Sequence, residues 1–276
     1  MNLVVQGPAL AAGDLEALAL LAKPQAVRAI APRAFRLAGA LKNEGIAPLC
    51  EARRIDHAWM EEGRRFADLR LLAMDMDSTL ITMETIDELG DLAGRKAEIA
   101  AITEQAMRGE IEYRESLRRR VRALAGLPES SLQKIYDQRL RLTPGAEALI
   151  SACKRHGVQL LLVSGGFTFF TERLKQRLGL HHTASNVLEV KDGKLTGALL
   201  GEIVDADAKA AKFRRVCKDL NASRENTVAI GDGANDLKMM AESGLSVAFR
   251  AKPVVRAEAS CALNWSGLDG VVNLFE

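Results

Sequence analysis

The chain has 276 residues, 48% hydrophobic and 27% charged, long enough for one large domain or for a main domain with smaller ones around a substantial buried core. Its 38 lysines and arginines nearly balance 36 acids, a formal charge of +2, so no global field calls for nucleic acid or an acidic membrane, and a charged ligand must be steered locally. Four cysteines (Cys50, Cys153, Cys217, Cys261) lie far apart without a CxxC pair and read as reduced core residues, and no stretch approaches the roughly 18 apolar residues of a membrane span. Asp14 and Glu16 interrupt an N-terminal run that also lacks the basic start and cleavage site of a secretory signal, so a soluble, cytoplasmic protein is expected.

Residues 1–66 carry LVVQG, an apolar-periodic DLEALALLAK, QAVRAI, a helix-like PRAFRLAGALKNEG and a short IAPLCEA, which together predict a small α+β module. A charge-rich tract over 56–68 predicts a surface helix or linker. The apolar run at 69–74 then breaks into DMDST at 75–79. In an extended chain residues i and i+2 point to one side, so Asp75 and Asp77 can share one site at the carboxyl edge of a sheet; the plain alternative is a turn with an Asp cap.

From Asp75 to Ser164 is 89 positions, far more than one crossover helix needs. The interval 83–142 is almost free of Val and rich in Ala, Arg, Glu and Leu, with breaks at Gly94, Gly109 and Gly126-Leu127-Pro128, which predicts an inserted helical cap. Two further buried-strand patterns, VQLLLV at 158–163 and NTVAI at 226–230, end in SGGF (164–167) and GDGAND (231–236). Helical periodicity appears at Ala146, Leu149, Ile150 and Cys153 and again at Phe213, Val216, Cys217 and Leu220. LEVKDGKLTGALL (188–200) alternates about Asp192-Gly193, the signal for a hairpin at a sheet edge. Strands alternating with helices predict an α/β fold with a mostly parallel, Rossmann-like sheet spanning 67–82 and 143–276.

DMDST, SGGF, a lysine at 209 and GDGAND, in that order, resemble the four motifs of the haloacid dehalogenase superfamily, whose members transfer phosphoryl groups through an aspartate nucleophile. The additional runs ETIDE, SLRRRV, SGGFTFF, DGKLTG and VAIGDGAND narrow the resemblance to the phosphoserine phosphatase family, over residues 69 to about 270. The N-terminal module is similar in pattern to the ACT-like part of some bacterial members, while a packing or dimerisation module, and with it a homodimer, is the competing reading.

The resemblance implies a small phosphorylated amino acid as substrate and Mg²⁺ as cofactor, held by Asp75 and Asp232 and by the main-chain carbonyl of Asp77. A cation is physically required, because each unit-charge repulsion at ~4 Å costs about 4 kcal/mol at an effective dielectric of ~20. Asp75 is then the nucleophile and Asp77 the general acid and base, which calls for a raised pKa. Ser164 with the amides of Gly165 and Gly166, read as the junction of a strand and a helix, would cradle phosphate. Lys209 would neutralise it, with Lys212 as the competing candidate. Asp236 would support Lys209 or a metal water, and Asn235 would hydrogen-bond phosphate or substrate.

By the same resemblance Glu84 binds the substrate ammonium and Arg120 its carboxylate. The bland readings are a capping box of Thr85 with Glu88, and one more solvated arginine beside Arg118 and Arg119. Met107 and Tyr113 match apolar positions near the substrate, or else cap core; Tyr113 stands where the family more often has Phe. Two other functions remain open on these residues: transfer of the phosphoryl group to another hydroxyl, and a regulatory binding protein with an inert core.

Overall fold

Residues 1–276 are described by a computed structural model. The first 60 residues form strand β1 (Asn2–Gln6), helix α1 (Ala12–Ala22), strands β2 (Ala26–Ala31) and β3 (Ala34–Ala38), helix α2 (Ile46–Arg53) and strand β4 (Asp56–Met60), giving an antiparallel sheet of order β2-β3-β1-β4. Successive side chains of β1 face opposite ways, as a period of two demands. Leu3 and Val5 pack under α1 and α2 with Leu18, Leu37, Ile46 and Ile55, while Val4 joins Ala58 and Met60 in the main core.

Two expectations for this region are corrected. PRAFRLAGALKNEG is not a helix: Arg33 takes a positive φ in the turn after β2, and Ala34–Ala38 pairs with strands on both sides, a tertiary pairing that overrides helical propensity. The tract 56–68 is neither surface helix nor linker throughout. DHAWM alternates buried and half-buried as β4, and only the charged residues after it run over the surface.

The second sheet contains β5 (Leu71–Met74), β6 (Gln159–Phe167), β7 (His182–Lys191), β8 (Lys194–Leu200), β9 (Thr227–Gly231), β10 (Leu245–Phe249) and β11 (Cys261–Leu263), in the order β11-β10-β9-β5-β6-β7-β8. All pairs are parallel except β7 with β8, the hairpin at the edge, where Asp192 and Gly193 both have the positive φ of the expected turn. Leu72, Met74, Leu160, Leu162, Val228 and Ile230 face one core; Leu71, Ala73, Leu161, Val163 and Ala229 face the other. A parallel sheet buried on both faces explains why these strands read as unbroken apolar runs.

Between β5 and β6 come α3 (Thr85–Leu92), α4 (Lys96–Met107), α5 (Tyr113–Arg122) and α6 (Ser130–Gln138), followed by α7 (Ala146–Arg155) under the sheet. The four helices of the insertion leave and rejoin the sheet side by side. Ile81 bridges Leu142, the Thr82 amide donates to the Arg141 carbonyl, and the Thr143 amide donates to the Leu80 carbonyl. Helices α8 (Thr168–Leu178), α9 (Ala206–Asp219), α10 (Leu237–Glu242) and α11 (Pro253–Glu258) complete the layers, and no helix is long and apolar enough to cross a membrane.

The N-terminal sheet is joined to the end of the chain by buried polar contacts. Asp56 accepts the amides of Asn264, Trp265 and Ser266; Gln6 donates to the Gly270 carbonyl; and Arg36, 3% exposed, donates to the carbonyls of Asn273 and Phe275.

Candidate active site

Strand β5 lies between β6 and β9, with the chain crossing to one side through the insertion and to the other through α9. The carboxyl ends of these three strands therefore form a crevice at a switch in strand order, the usual ligand site of an open α/β sheet. Asp75 follows β5 in extended conformation and is 6% exposed. Its Oδ1 accepts the Met76 amide at 2.7 Å and faces the Lys209 Nζ at 2.9 Å, while no protein group donates to Oδ2.

A tight turn over Met76–Leu80, with Ser78 at φ 55, then reverses the chain. It carries Asp77 beneath the insertion, where Oδ1 accepts the Thr85 amide at 2.8 Å and Oδ2 accepts a long bond of 3.4 Å from the Ser164 hydroxyl. Asp77 thus caps α3 from eight residues upstream. The Thr85–Glu88 capping box, the bland alternative for this segment, is not formed: Thr85 is the first residue of α3, and Glu88 instead pairs with Arg139.

On β6, SGGF forms the last four residues of the strand and α8 starts at once at Thr168, so the segment lies at a strand–helix junction with the Gly165 and Gly166 amides still on the strand side. The Ser164 hydroxyl accepts the Gly166 amide at 2.8 Å. A side chain on Gly166 would stand 2.7 Å from Asp77 Oδ2 and 3.0 Å from the Ser164 Oγ, so glycine alone lets β6 come this close to Asp77.

Lys209 enters from the first turn of α9, whose N-cap Asp205 accepts the Ala208 amide. Its ammonium is fully buried, 2.7 Å from Asp236 Oδ1 and 2.9 Å from Asp75 Oδ1. Lys212, the competing candidate, is half-buried one turn on and lies near His182 instead. After β9, Asp236 turns back so that its Oδ2 accepts the amides of Asp232 and Gly233. Asp232 Oδ1 accepts the Thr79 hydroxyl at 3.0 Å. Asn235 is half-buried near Gly233, with no side-chain hydrogen bond in the protein.

Carboxylate oxygens of Asp75, Asp232 and Asp236 lie within 4.8 Å of one another. Both Asp236 oxygens are already engaged, whereas Asp75 and Asp232 each keep Oδ2 without a protein donor, which is the donor set a hard divalent cation prefers. The electrostatics call for such a cation. Burial, and then Asp236, push the Asp75 carboxyl well above the ordinary range against the opposing Lys209. Burial, and then Glu84, raise Asp77 to about 7; burial, with Asp236 and Glu84, raises Asp232 to about 6. Burial acts to lower the Lys209 pKa, but Asp236 and Asp75 outweigh it and hold the ammonium protonated.

The insertion supplies the roof. Glu84, the N-cap of α3, accepts the Ser78 hydroxyl at 2.6 Å. Arg120 on α5 is not a solvated surface charge: its Nε is buried with no hydrogen-bond partner, and Asp87 and Tyr113 are within its electrostatic reach. Arg114 ties α5 to the Asp205 N-cap of α9 at 2.6 Å. Met107 does not join the site or the cap core. It ends α4 at 66% exposure, beyond the buried Ile99. Ser78 and Thr79, which orient Glu84 and Asp232, were not singled out by sequence; their only signal was membership of DMDST.

Residues 72–241 match the haloacid dehalogenase-like hydrolase family, and residues 3–46 match a domain of unknown function, DUF4072. A phosphoserine phosphatase from Polaromonas sp. is 53% identical over 215 residues, covering 76% of this chain and 91% of that protein. Among solved structures, an unliganded probable phosphoserine phosphatase from Vibrio cholerae superposes with a TM-score of 0.87 at 36% identity, covering 99% of this chain and 86% of the other. A HAD family hydrolase from Salmonella enterica serovar Typhi superposes with a TM-score of 0.90 at 30% identity, covering 100% and 98%. With the family match spanning well over half its length and this relative covered almost end to end, the chain belongs to the haloacid dehalogenase-like hydrolases.

Proposed function

We propose that this enzyme is a phosphoserine phosphatase, hydrolysing O-phospho-L-serine to L-serine and phosphate, the last step of serine biosynthesis. The observation that carries the reading is the unpartnered Arg120 guanidinium on the roof of a site that already gathers Asp75, Asp77, Ser164, Lys209 and Asp232: a phosphoryl-transfer centre with a carboxylate receptor above it. Its relatives' names point the same way.

A carboxylate oxygen of Asp75 attacks phosphorus, and the bond from phosphorus to the seryl oxygen breaks, leaving an aspartyl phosphate. Asp77, whose pKa near 7 keeps a substantial fraction protonated at neutral pH, gives its proton to the departing seryl oxygen. The resulting carboxylate then takes a proton from water as that water attacks phosphorus and releases Asp75. Lys209 offsets charge on Asp75 and on the phosphoryl oxygens throughout, held in place by Asp236.

Ser164, Gly165 and Asn235 are the phosphate contacts. Glu84 takes the ammonium, aimed by Ser78, and Arg120 takes the carboxylate in a planar fork. Mg²⁺ is the cation we assign to Asp75, Asp232 and the Asp77 main-chain carbonyl; when bound it screens the nucleophile from the anionic phosphoryl group.

A panel of phosphomonoesters tests the reading. Phosphoserine should be the preferred substrate of the wild type. Glu84→Gln should cut kcat/KM for phosphoserine by about 10- to 100-fold, the worth of one charge-assisted contact, and leave p-nitrophenyl phosphate nearly unchanged. Equal losses on both substrates would count against the assignment of Glu84.

A further inference from the structure

Tyr113 opens α5, and Ser116 and Arg120 follow it at i+3 and i+7, on the same helix face. That face looks down on the carboxyl end of β6. The phenolic oxygen of Tyr113 lies directly over Gly165, so close that any side chain built there would collide with it. The charged groups within its reach are Lys209, Arg120, Asp75 and Asp236, so it sits above the reaction centre rather than at the edge of the insertion. Its ring packs against the main core, yet its hydroxyl makes no hydrogen bond with any protein group. The residue is half-buried and its hydroxyl keeps some access to solvent, so it is free to donate to a ligand oxygen in place of water.

From this geometry we infer that Tyr113 is a substrate-contacting residue whose hydroxyl donates to a non-bridging phosphoryl oxygen seated over Gly165. The inference deepens the phosphatase reading and rests on it. The neighbouring carboxylates are not the missing acceptors: Asp236 has both oxygens engaged, and neither Asp75 nor Asp77 comes within hydrogen-bond reach of the phenol. Gly165, the backbone beneath the phenol, is one of the phosphate contacts assigned above, whereas Glu84 and Arg120 serve the amino-acid end, so the hydroxyl falls on the phosphoryl end. Burial holds the phenol's pKa above its ordinary value, so it remains a neutral donor through the working range. A roof residue that bonds the phosphoryl group would make closure over the site respond to the reacting group as well as to the amino acid.

Tyr113→Phe removes one oxygen atom that has no partner in the protein, so its melting temperature should equal or exceed that of the wild type. The probes are phosphoserine, p-nitrophenyl phosphate and inorganic phosphate as competitive inhibitor, with Arg120→Lys run in parallel. Tyr113→Phe should lower kcat/KM for both esters by a common factor of about 10 and weaken inhibition by phosphate by a similar factor, the worth of one hydrogen bond to an anion. Arg120→Lys should affect phosphoserine alone.

A loss in Tyr113→Phe confined to phosphoserine would place the hydroxyl on the amino-acid end and overturn the inference, as would unchanged kinetics on all three probes or a lowered melting temperature. If the wild type shows no preference for phosphoserine while Tyr113→Phe still weakens phosphate, the substrate reading falls and the Tyr113 contact stands.

Discussion

Lys209→Met keeps the length of the side chain and deletes its charge, and the structure sets the scale of the outcome. The ammonium is 0% exposed and touches Asp236 and Asp75 at 2.7 and 2.9 Å, so solvent does not screen either contact. At an effective dielectric of ~20 each pair is attractive by about 6 kcal/mol before the cost of desolvation. Desolvation cancels most of that sum, and what remains is the penalty of stranding buried carboxylates without a countercharge, about 3–5 kcal/mol. Against a usual domain stability of roughly 5–15 kcal/mol, that loss is large.

Urea unfolding followed by circular dichroism in EDTA at neutral pH should therefore show a much lower midpoint for Lys209→Met. Lowering the pH should shrink the deficit, because the stranded acids then take up protons. Adding Mg²⁺ should recover part of it by supplying the missing positive charge. The wild-type ammonium, with its raised pKa, contributes in full below the unfolded lysine value of ~10.4 and fades only at more alkaline pH. A variant within about 1 kcal/mol of the wild type in EDTA, with a deficit indifferent to pH, would refute the view that Lys209 is the internal countercharge of this cluster.

The carboxylates themselves act in the same direction at lower pH. Because Asp77 titrates near 7 and Asp232 near 6 in the folded protein, against ~3.9 when unfolded, the native state holds protons that the unfolded chain has lost, and metal-free stability should fall as pH rises from about 4 to 7. Mg²⁺ should raise the melting temperature little near pH 5 and progressively more towards pH 7.5; an increment independent of pH would contradict the cluster's role as the cation site. Asp75→Asn should lower phosphate release from phosphoserine by at least about 10³-fold while melting no lower than the wild type in EDTA, since it relieves crowding among buried acids and leaves Lys209 its Asp236 partner. Retained activity above about one per cent would remove Asp75 from the nucleophile position.

The strands that build the crevice were legible because a parallel strand buried on both faces is a short apolar run, and β5, β6 and β9 each stop abruptly at a polar motif. The breaks between helices of the insertion were legible for a similarly local reason. Gly94, Gly109 and Gly126 all adopt the positive φ at which a helix gives way. What escaped was decided by partners far away in sequence. Ala34–Ala38 has a composition suited to a helix, but its Arg36 is buried against carbonyls at 273 and 275, some 240 positions further on. Glu88 and Thr85 carry a helix-capping pattern, yet the cap comes from Asp77, and the alternation of DHAWM was masked by the charges that follow it. Within the site, the residue types were readable from DMDST and GDGAND. The pairings of Ser78 with Glu84 and of Thr79 with Asp232 required the three-dimensional turn.

The laced pair of crossings at Ile81 and Leu142 has a mechanical consequence. The bridge and the two hydrogen bonds beside it tie the entry and exit of the insertion to each other, so the four helices are hinged to the sheet at one place, next to Leu80. Leu80 ends the same tight turn that aims Asp77, whose carboxylate also grips the first helix of the insertion at Thr85. On the proposed mechanism, any displacement of the insertion would also displace Asp77, so admission of substrate and placement of the proton carrier would be coupled through one hydrogen bond.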